Sequence, residues 1–232
     1  MEILPGLNRV PGVTANAYLL VDPDGLTLID AGLPRRGTKI LRYIASLGFT
    51  PEDLKSILIT HSDSDHVGGL AALQAMTPAR TFASAIEAEA IQAGRFSRPL
   101  KLHGWRKWLL TVSMRFFKVA PGRVDEILSA GQQLPIWGGL HVLSTPGHTP
   151  GHLSFYAVEK GVLFPGDSLR CQPGEIIVSR GANTWDEPIA RRSALEQGTL
   201  GASLVCAGHG PVVHDAAAKF AALRERLGNE EG

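Results

Sequence analysis

Short apolar runs, separated by turns rich in glycine and proline, dominate the pattern of hydrophobic and polar positions along the chain. Four of these runs have the length and the β-branched or aliphatic content of buried strands, at residues 56–60, 140–143, 162–164 and 204–206. Stretches with helical spacing lie before, between and after them, and predict helices over 35–47, 68–76, 84–93 and about 215–227. The pattern predicts an α+β protein.

Two hairpins are also expected from turn residues. Residues 16–32 read as two strands around the turn Asp22-Pro23-Asp24-Gly25. The segments 153–158 and 162–164 read as a second pair around Glu159-Lys160-Gly161. The first half of the chain is therefore rich in strands, and a second set of strands precedes the C-terminal helix.

The decapeptide THSDSDHVGG at positions 60–69 follows the first buried run and contains four residues that could bind a metal, namely His61, Asp63, Asp65 and His66. Imidazole and carboxylate groups at such close spacing are typical of transition-metal ligands, and Gly68-Gly69 allow close approach of the backbone. The alternative is a helix N-cap followed by surface histidines, because a helical run comes directly after this segment.

Three further residues of this type follow the other buried runs: His148, Asp167 and His209. Each stands beside glycine or proline just beyond a predicted strand. The repetition of strand, turn and potential ligand favours a site with two metal ions over isolated polar residues.

These motifs resemble the signature of the metallo-β-lactamase superfamily, an HxHxDH motif followed by Gly-His, Gly-Asp and a last Gly-His. The resemblance spans most of the chain and implies a four-layer αββα sandwich. It implies that the first metal is bound by His61, Asp63 and His148, the second by Asp65, His66 and His209, and that Asp167 bridges both. Asp30, at the end of the first hairpin, would support the ligands or the fold. His152 is expected to be structural, or, because it is near His148 in sequence, to support a ligand.

Asp63 departs from the family pattern, which usually has histidine at this position. A third carboxylate beside Asp65 and Asp167 would neutralise two divalent cations more fully and lower their Lewis acidity. Oxygen ligands also favour iron or manganese over zinc. Zinc is the expected metal, and iron or manganese are the alternatives, since the diiron flavoproteins of the superfamily carry a carboxylate here.

The resemblance implies hydrolysis by a hydroxide shared between two metals, oriented by Asp65 and Asp167. We expect a small, acidic ester, thioester, lactone or phosphoester as substrate. Arg170 would bind its carboxylate or phosphate, or pair with an acid on a surface loop over 168–185. Arg170 stands where the acyl-homoserine lactonases of the family have Tyr, which disfavours a lactonase of that type. The residues after His209 are too few for the glutathione-binding domain of glyoxalase II.

Composition limits the class of protein. With 232 residues, 44% of them hydrophobic, we expect one compact domain over 1–232. The net charge of +1 argues against general nucleic-acid binding. Cys171 and Cys206 are expected to be buried thiols. No signal-peptide pattern or long apolar window occurs, so we expect a cytoplasmic protein without a membrane span that acts on a small molecule.

Residues 91–124 form a cationic amphipathic insert with eight Lys or Arg and no acid. The insert would be a helix with a buried aromatic face, a cap over the metal site, a contact between subunits, or a membrane-surface segment. Two other function classes also stay open. One is an iron protein with redox or oxygen chemistry, and the other is a metal-stabilised binding module without turnover.

Overall fold

The computed structural model describes residues 1–99 and 119–229, which divide into two compact units, Met1–Leu128 and Ser129–Gly232. Most of the predicted cationic insert, residues 100–118, lies outside the described residues. Among the helices of the described ranges, none has the length and apolar character needed to cross a membrane.

The first unit contains a seven-stranded sheet in which the strands follow one another in chain order: β1 (Glu2–Leu4), β2 (Leu7–Arg9), β3 (Tyr18–Asp22), β4 (Gly25–Ile29), β5 (Leu54–Leu58), β6 (Arg80–Ala83) and β7 (Glu126–Ile127). Strands β1 to β4 pair antiparallel, and β4 to β7 pair parallel. Because parallel strands end at the same edge of a sheet, the residues that follow β4 and β5 come together there. Those residues include Asp30 and His61.

Four α-helices belong to the described part of the first unit: α1 (Gly37–Ser46), α2 (Ser64–Val67), α3 (Leu70–Met76) and α4 (Ala85–Ala93), with a 3₁₀ turn at Pro51–Asp53. The predicted helix over 68–76 begins instead at Leu70. Gly68 and Gly69 separate it from α2. Neither position has room for a side chain, since a Cβ on Gly68 would lie 2.2 Å from Pro34 Cδ and one on Gly69 2.3 Å from the Ala31 carbonyl oxygen. The close approach that these glycines allow is therefore between two parts of this chain.

The boundaries of α4 follow from its caps. Ser84 Oγ accepts a hydrogen bond from the Glu87 backbone N–H at 3.3 Å, and Gly94 ends the helix in the left-handed conformation with φ of 62°. The prediction of a helix over 84–93 is confirmed to within one residue.

The second unit contains a six-stranded sheet and a separate hairpin. The sheet has the strand order β15 (Val213–His214), β14 (Leu204–Ala207), β11 (Val162–Gly166), β10 (Leu153–Ala157), β9 (Leu140–Ser144) and β8 (Gln133–Leu134), and the hairpin is formed by β12 (Leu169–Gln172) and β13 (Glu175–Val178). The hairpin occupies part of the predicted loop over 168–185, so that loop prediction is wrong. Strands β11 and β14 pair parallel, which brings the residues after them, Asp167 and His209, to one edge.

Two helices complete the described part of the second unit, α5 (Glu187–Gln197) and α6 (Ala216–Asn229), besides a 3₁₀ turn at Val158–Lys160. Helix α5 was not predicted from the sequence, although Asp186 accepts a hydrogen bond from the Ile189 N–H at 3.0 Å and Pro188 stands in the first turn. These two residues are start signals that the sequence contains.

Each unit has its own apolar core. In the first unit, Leu28 of β4 and Ile57 of β5 pack with Ile40 and Ile44 of α1. In the second unit, Ala190 of α5 and Phe220 of α6 are buried in a core that also contains Leu163 of β11 and Val205 of β14. The four strands predicted from apolar runs and the two predicted hairpins are all present.

Candidate metal centre

His61 and His66 stand together at the carboxyl edge of the first sheet. Both side chains are completely buried, and their ring centroids are 4.1 Å apart. His61 follows β5, and His66 lies within α2. The alternative of surface histidines behind a helix cap is therefore wrong, and Asp63, at the N-cap position of α2, makes no side-chain cap hydrogen bond.

Asp30 orients both of these imidazoles. His66 Nδ1 lies 2.7 Å from Asp30 Oδ2. The Thr60 hydroxyl lies 2.9 Å from the same carboxylate oxygen and 2.9 Å from His61 Nδ1, so it connects Asp30 to His61. Because a carboxylate only accepts hydrogen bonds, Nδ1 of His66 carries the proton. The Thr60 hydroxyl donates its one proton to Asp30, so it accepts a hydrogen bond from the protonated Nδ1 of His61. Both rings therefore present the lone pair on Nε2, the nitrogen that would bind a metal.

Asp30 itself adopts an uncommon backbone conformation, with φ of 61°, and is 2% exposed. Its Oδ1 accepts from the Thr60 N–H at 2.9 Å, and its own N–H donates to the Leu58 carbonyl at 2.9 Å. A buried carboxylate held this way is fixed in position, as expected for a residue that supports metal ligands.

Asp63 is held by Arg98, a basic residue of the predicted cationic insert over 91–124 that no sequence pattern connected to Asp63. The guanidinium of Arg98 donates to both carboxylate oxygens of Asp63, with Nη2 2.7 Å from Oδ2. Asp63 Oδ2 also lies 3.6 Å from His61 Nε2. Ligand atoms that share one metal ion with bonds of about 2.1 Å are roughly 3 to 4 Å apart, so this pair has the separation of two ligands of one ion.

Asp65 lies in α2 and is half-buried. Within the first unit, ligand atoms of Asp65 and His66, of His61 and Asp63, and of His61 and His66 come within 4.8 Å of each other. All four residues predicted from the decapeptide are therefore neighbours in space.

The second unit places His148, Asp167 and His209 together. Asp167 Oδ2 lies 3.3 Å from His209 Nε2 and 3.8 Å from His148 Nε2. These separations again match two ligand atoms around one ion. His148 Nδ1 lies 2.9 Å from Ser179 Oγ, which is 3.0 Å from Thr184 Oγ1, so this ring too is held through Nδ1.

His152 supports Asp167. The backbone N–H of Asp167 donates to His152 Nε2 at 3.1 Å, and His152 Nδ1 lies 2.9 Å from Thr145 Oγ1. Because Nε2 accepts a hydrogen bond from the backbone, it is not the nitrogen of a metal ligand. The expectation that His152 is a structural or supporting residue and not a ligand agrees with this hydrogen bond, which leads to the candidate ligand Asp167.

His209 follows β14 and is fixed by a close backbone contact. Its carbonyl accepts from the Cys171 N–H at 3.0 Å. A Cβ on Gly210, whose φ is 97°, would lie 1.7 Å from the Cys171 carbonyl oxygen. The glycine after this histidine is therefore required by the passage of β12 beside it.

Arg170 lies on β12, is exposed, and lines a cleft of about 310 Å³ in the second unit. The cleft combines three guanidinium groups with apolar side chains: Arg170, Arg180, Arg226, Ile177, Val178, Leu223 and Leu227. The contribution of Arg170 to catalysis stays a prediction.

The donor set of these residues fits divalent metal ions. Imidazole nitrogens and carboxylate oxygens suit zinc, iron and manganese. Nδ1 of His61, His66 and His148 is engaged by a hydroxyl or a carboxylate, which is the arrangement found around metal-bound histidines. The supporting roles of Thr60, Thr145, Ser179 and Arg98 were not predicted, because no local pattern marks which hydroxyl or guanidinium contacts a ligand in the folded chain.

Comparison with known proteins agrees with this chemistry. The profile of the metallo-beta-lactamase superfamily matches residues 10–209. The chain is 30% identical over 166 residues to the probable metallo-hydrolase YqgX of Bacillus subtilis (strain 168), an alignment that covers 68% of this chain and 67% of YqgX. It is 29% identical over 223 residues to a hydroxyacylglutathione hydrolase of Cereibacter sphaeroides, covering 94% of this chain and 71% of that protein.

A solved structure shows the same fold. The crystal structure of a metallo-beta-lactamase family protein from Thermus thermophilus superposes with a TM-score of 0.74 at 30% identity, covering 98% of this chain and 81% of the other. The predicted α+β fold of the metallo-β-lactamase type is thereby confirmed. With a profile match over most of its length and this structural likeness, the chain belongs to the metallo-β-lactamase superfamily.

Proposed function

We propose that this metal-dependent hydrolase uses two divalent metal ions, zinc first among the candidates. One ion would be bound by His61, Asp63 and His148, the other by Asp65, His66 and His209, with Asp167 shared by both. The observation that carries the proposal is the arrangement of the imidazoles. His61, His66 and His148 are each held at Nδ1, and Nε2 of His61 and of His148 lies at ligand spacing from a carboxylate oxygen.

Bound divalent ions would supply Lewis acidity and a water that loses its proton near neutral pH. The protein's own residues hold the groups around that water. Asp65 and Asp167 would orient it and accept its proton. Asp30 and His152 keep the imidazoles and Asp167 in place through the hydrogen bonds described above, so little reorganisation is needed during the reaction.

The substrate class that we propose is a small acidic ester, thioester, lactone or phosphoester. A similar protein is named a hydroxyacylglutathione hydrolase, which makes a thioester the first substrate class to test. The guanidinium of Arg170 would bind a carboxylate or phosphate with two parallel hydrogen bonds. Replacing Arg170 by Ala would then raise KM for an acidic substrate and leave KM for a neutral ester unchanged.

The test begins with the metal content of protein purified without chelator or added metal. We expect about two zinc ions per chain. Hydrolysis of a thioester, a p-nitrophenyl ester, a lactone and a phosphoester is then measured before chelation, after chelation, and after readdition of zinc, manganese or iron. Activity on at least one class should disappear with the metal and return with it.

Two variants and one matched control connect this activity to the site. Asp167→Asn and His66→Ala should each lower kcat by about 100-fold or more, because each removes a group that the reaction needs. His214→Ala removes an exposed histidine on β15 and should leave kcat unchanged. Full hydrolysis by the Asp167→Asn protein would contradict the proposal. Mostly iron with no hydrolysis would favour redox chemistry instead.

A further inference from the structure

Asp63 and Arg98 form a buried ion pair beside His61. The side chain of Arg98 is 3% exposed and that of Asp63 13%, and both guanidinium nitrogens Nη1 and Nη2 donate to the carboxylate. Each oxygen of an ionised carboxylate accepts more than one contact. Asp63 Oδ2 can therefore accept from Arg98 and still bind a metal on the side of His61 Nε2, 3.6 Å away.

The position of Arg98 is determined by residues around it. The preceding residue, Ser97, donates from its backbone N–H to Ser62 Oγ at 3.1 Å and from its hydroxyl to Glu87 Oε1 at 2.9 Å. Glu87, which is completely buried in α4, also accepts from the Ser62 N–H at 2.8 Å. The segment that carries Arg98 is thus bound to the loop that carries Asp63, so the ion pair is part of the fold of this unit.

We propose that Arg98 cancels the charge of Asp63, so that the pair is electrically equivalent to the neutral histidine that the family usually has at this position. Arg98 is a positioning residue that acts on the metal through Asp63. This inference rests on the proposed function, because it requires Asp63 to be a ligand. It also revises the expectation from the sequence that Asp63 lowers the Lewis acidity of the metals, since the added negative charge is compensated within hydrogen-bond distance.

The physical reason is the strength of charge interactions in a site from which water is largely excluded. A guanidinium within several ångströms of a divalent ion repels it, and an uncompensated carboxylate at the same distance attracts it. The net charge at positions 63 and 98 is 0 in the natural pair, −1 in Arg98→Met, +1 in Asp63→His, and 0 again in the double variant. Affinity for Zn²⁺ should rise as this net charge becomes more negative. Arg98→Met should therefore bind most tightly, Asp63→His most weakly, and the natural protein and the double variant in between.

The experiment measures Zn²⁺ and Mn²⁺ affinity of the chelator-treated full-length protein by competition with a chromophoric chelator. We expect Arg98→Met to bind at least about tenfold more tightly than the natural protein, and Asp63→His at least about tenfold more weakly. The double variant Asp63→His with Arg98→Met should return to within about threefold of the natural affinity. Arg95→Met, which removes an exposed arginine from the same segment, should change nothing.

A second readout separates this role from a purely structural one. Loss of Arg98 leaves a carboxylate without its counter-ion, so metal-free Arg98→Met should melt at a lower temperature, and Zn²⁺ should raise its Tm by more than it raises that of the natural protein. If Arg98 only braces the loop, Arg98→Met and Asp63→His would both bind metal more weakly, the double variant would be weaker still, and the proposal would be overturned. A natural protein that binds no metal would instead refute the proposed function, whatever the variants do.

Discussion

His66 Nδ1 lies 2.7 Å from Asp30 Oδ2, and this hydrogen bond joins the segment that follows β4 to helix α2, which follows β5. The backbone repeats the connection, because the Ala31 N–H donates to the His66 carbonyl at 2.6 Å. One carboxylate thus holds the tautomer of His66 directly and that of His61 through Thr60. Both candidate imidazole ligands of this unit therefore depend on Asp30.

Asp30→Asn should weaken metal binding by about 10- to 100-fold, because the amide keeps the shape of the carboxylate but loses the charge that fixes His66. The free energy of unfolding should fall by about 1 to 3 kcal/mol as the buried hydrogen bonds are disturbed. Metal titration and urea unfolding measure the two effects. Asp24→Asn, in the exposed turn between β3 and β4, is the matched control. Equal metal affinity in both variants would show that Asp30 has only a structural role.

His152→Ala should leave the number of bound metal ions unchanged but lower kcat, because it removes the acceptor of the Asp167 N–H and no ligand. Leaving that buried N–H without an acceptor should reduce stability by about 1 to 3 kcal/mol. His152→Gln should recover part of both losses, since its amide oxygen is an acceptor. His148→Ala, by contrast, should lose one metal ion. Metal analysis after dialysis decides between these roles, and loss of a metal ion from His152→Ala would contradict the assignment.

Gly210→Ala should be severely destabilising, and Gly174→Ala only mildly so. Both glycines have positive φ, 97° and 80°, but the added Cβ meets the Cys171 carbonyl oxygen at position 210 and has nothing within 4 Å at position 174. The conformational cost of alanine, about 1 to 2 kcal/mol, is common to both. The steric clash should add at least about 2 kcal/mol at Gly210. Urea unfolding of both variants measures the free energy contributed by the clash. Equal losses of unfolding free energy in Gly210→Ala and Gly174→Ala would contradict the clash.

Burial raises the pKa of the Cys171 thiol to about 12, against 9.0 for the unperturbed group; a hydrogen bond with the Ala207 backbone opposes this shift. The unfolded chain therefore loses the thiol proton first, so the stability that Cys171 contributes is complete below pH 9 and is lost as the pH rises toward 12. The slope from this group is at most about 1.4 kcal/mol per pH unit. Cys171→Ala should unfold with a shallower decline between about pH 9 and 11, and an unchanged slope would contradict the shift.

Local sequence determined the elements that carry the candidate ligands. Apolar runs of strand length predicted the strands before His61, His148, Asp167 and His209, and glycine or proline marked the ends of the last three. Both signals are local, because they depend on only a few consecutive residues. Helix α4 was predicted to within one residue for the same reason, because its serine cap and its terminal glycine are local signals. Helix α5 has comparable start signals in Asp186 and Pro188 and was missed because no apolar stripe accompanies them.

The tertiary structure decided what surrounds those ligands. Arg98 reaches Asp63 across 35 positions of sequence, and Asp30 reaches His66 across 36. Such pairs form only after the parallel strands have brought their ends to one edge and α4 has turned the chain back toward the loop after β5. Sequence therefore determined the kinds of groups at this edge and their order. The folded path of the chain determined which carboxylate pairs with an arginine and which imidazole nitrogen is hydrogen-bonded to a carboxylate, since hydrogen bonds depend on distance in space.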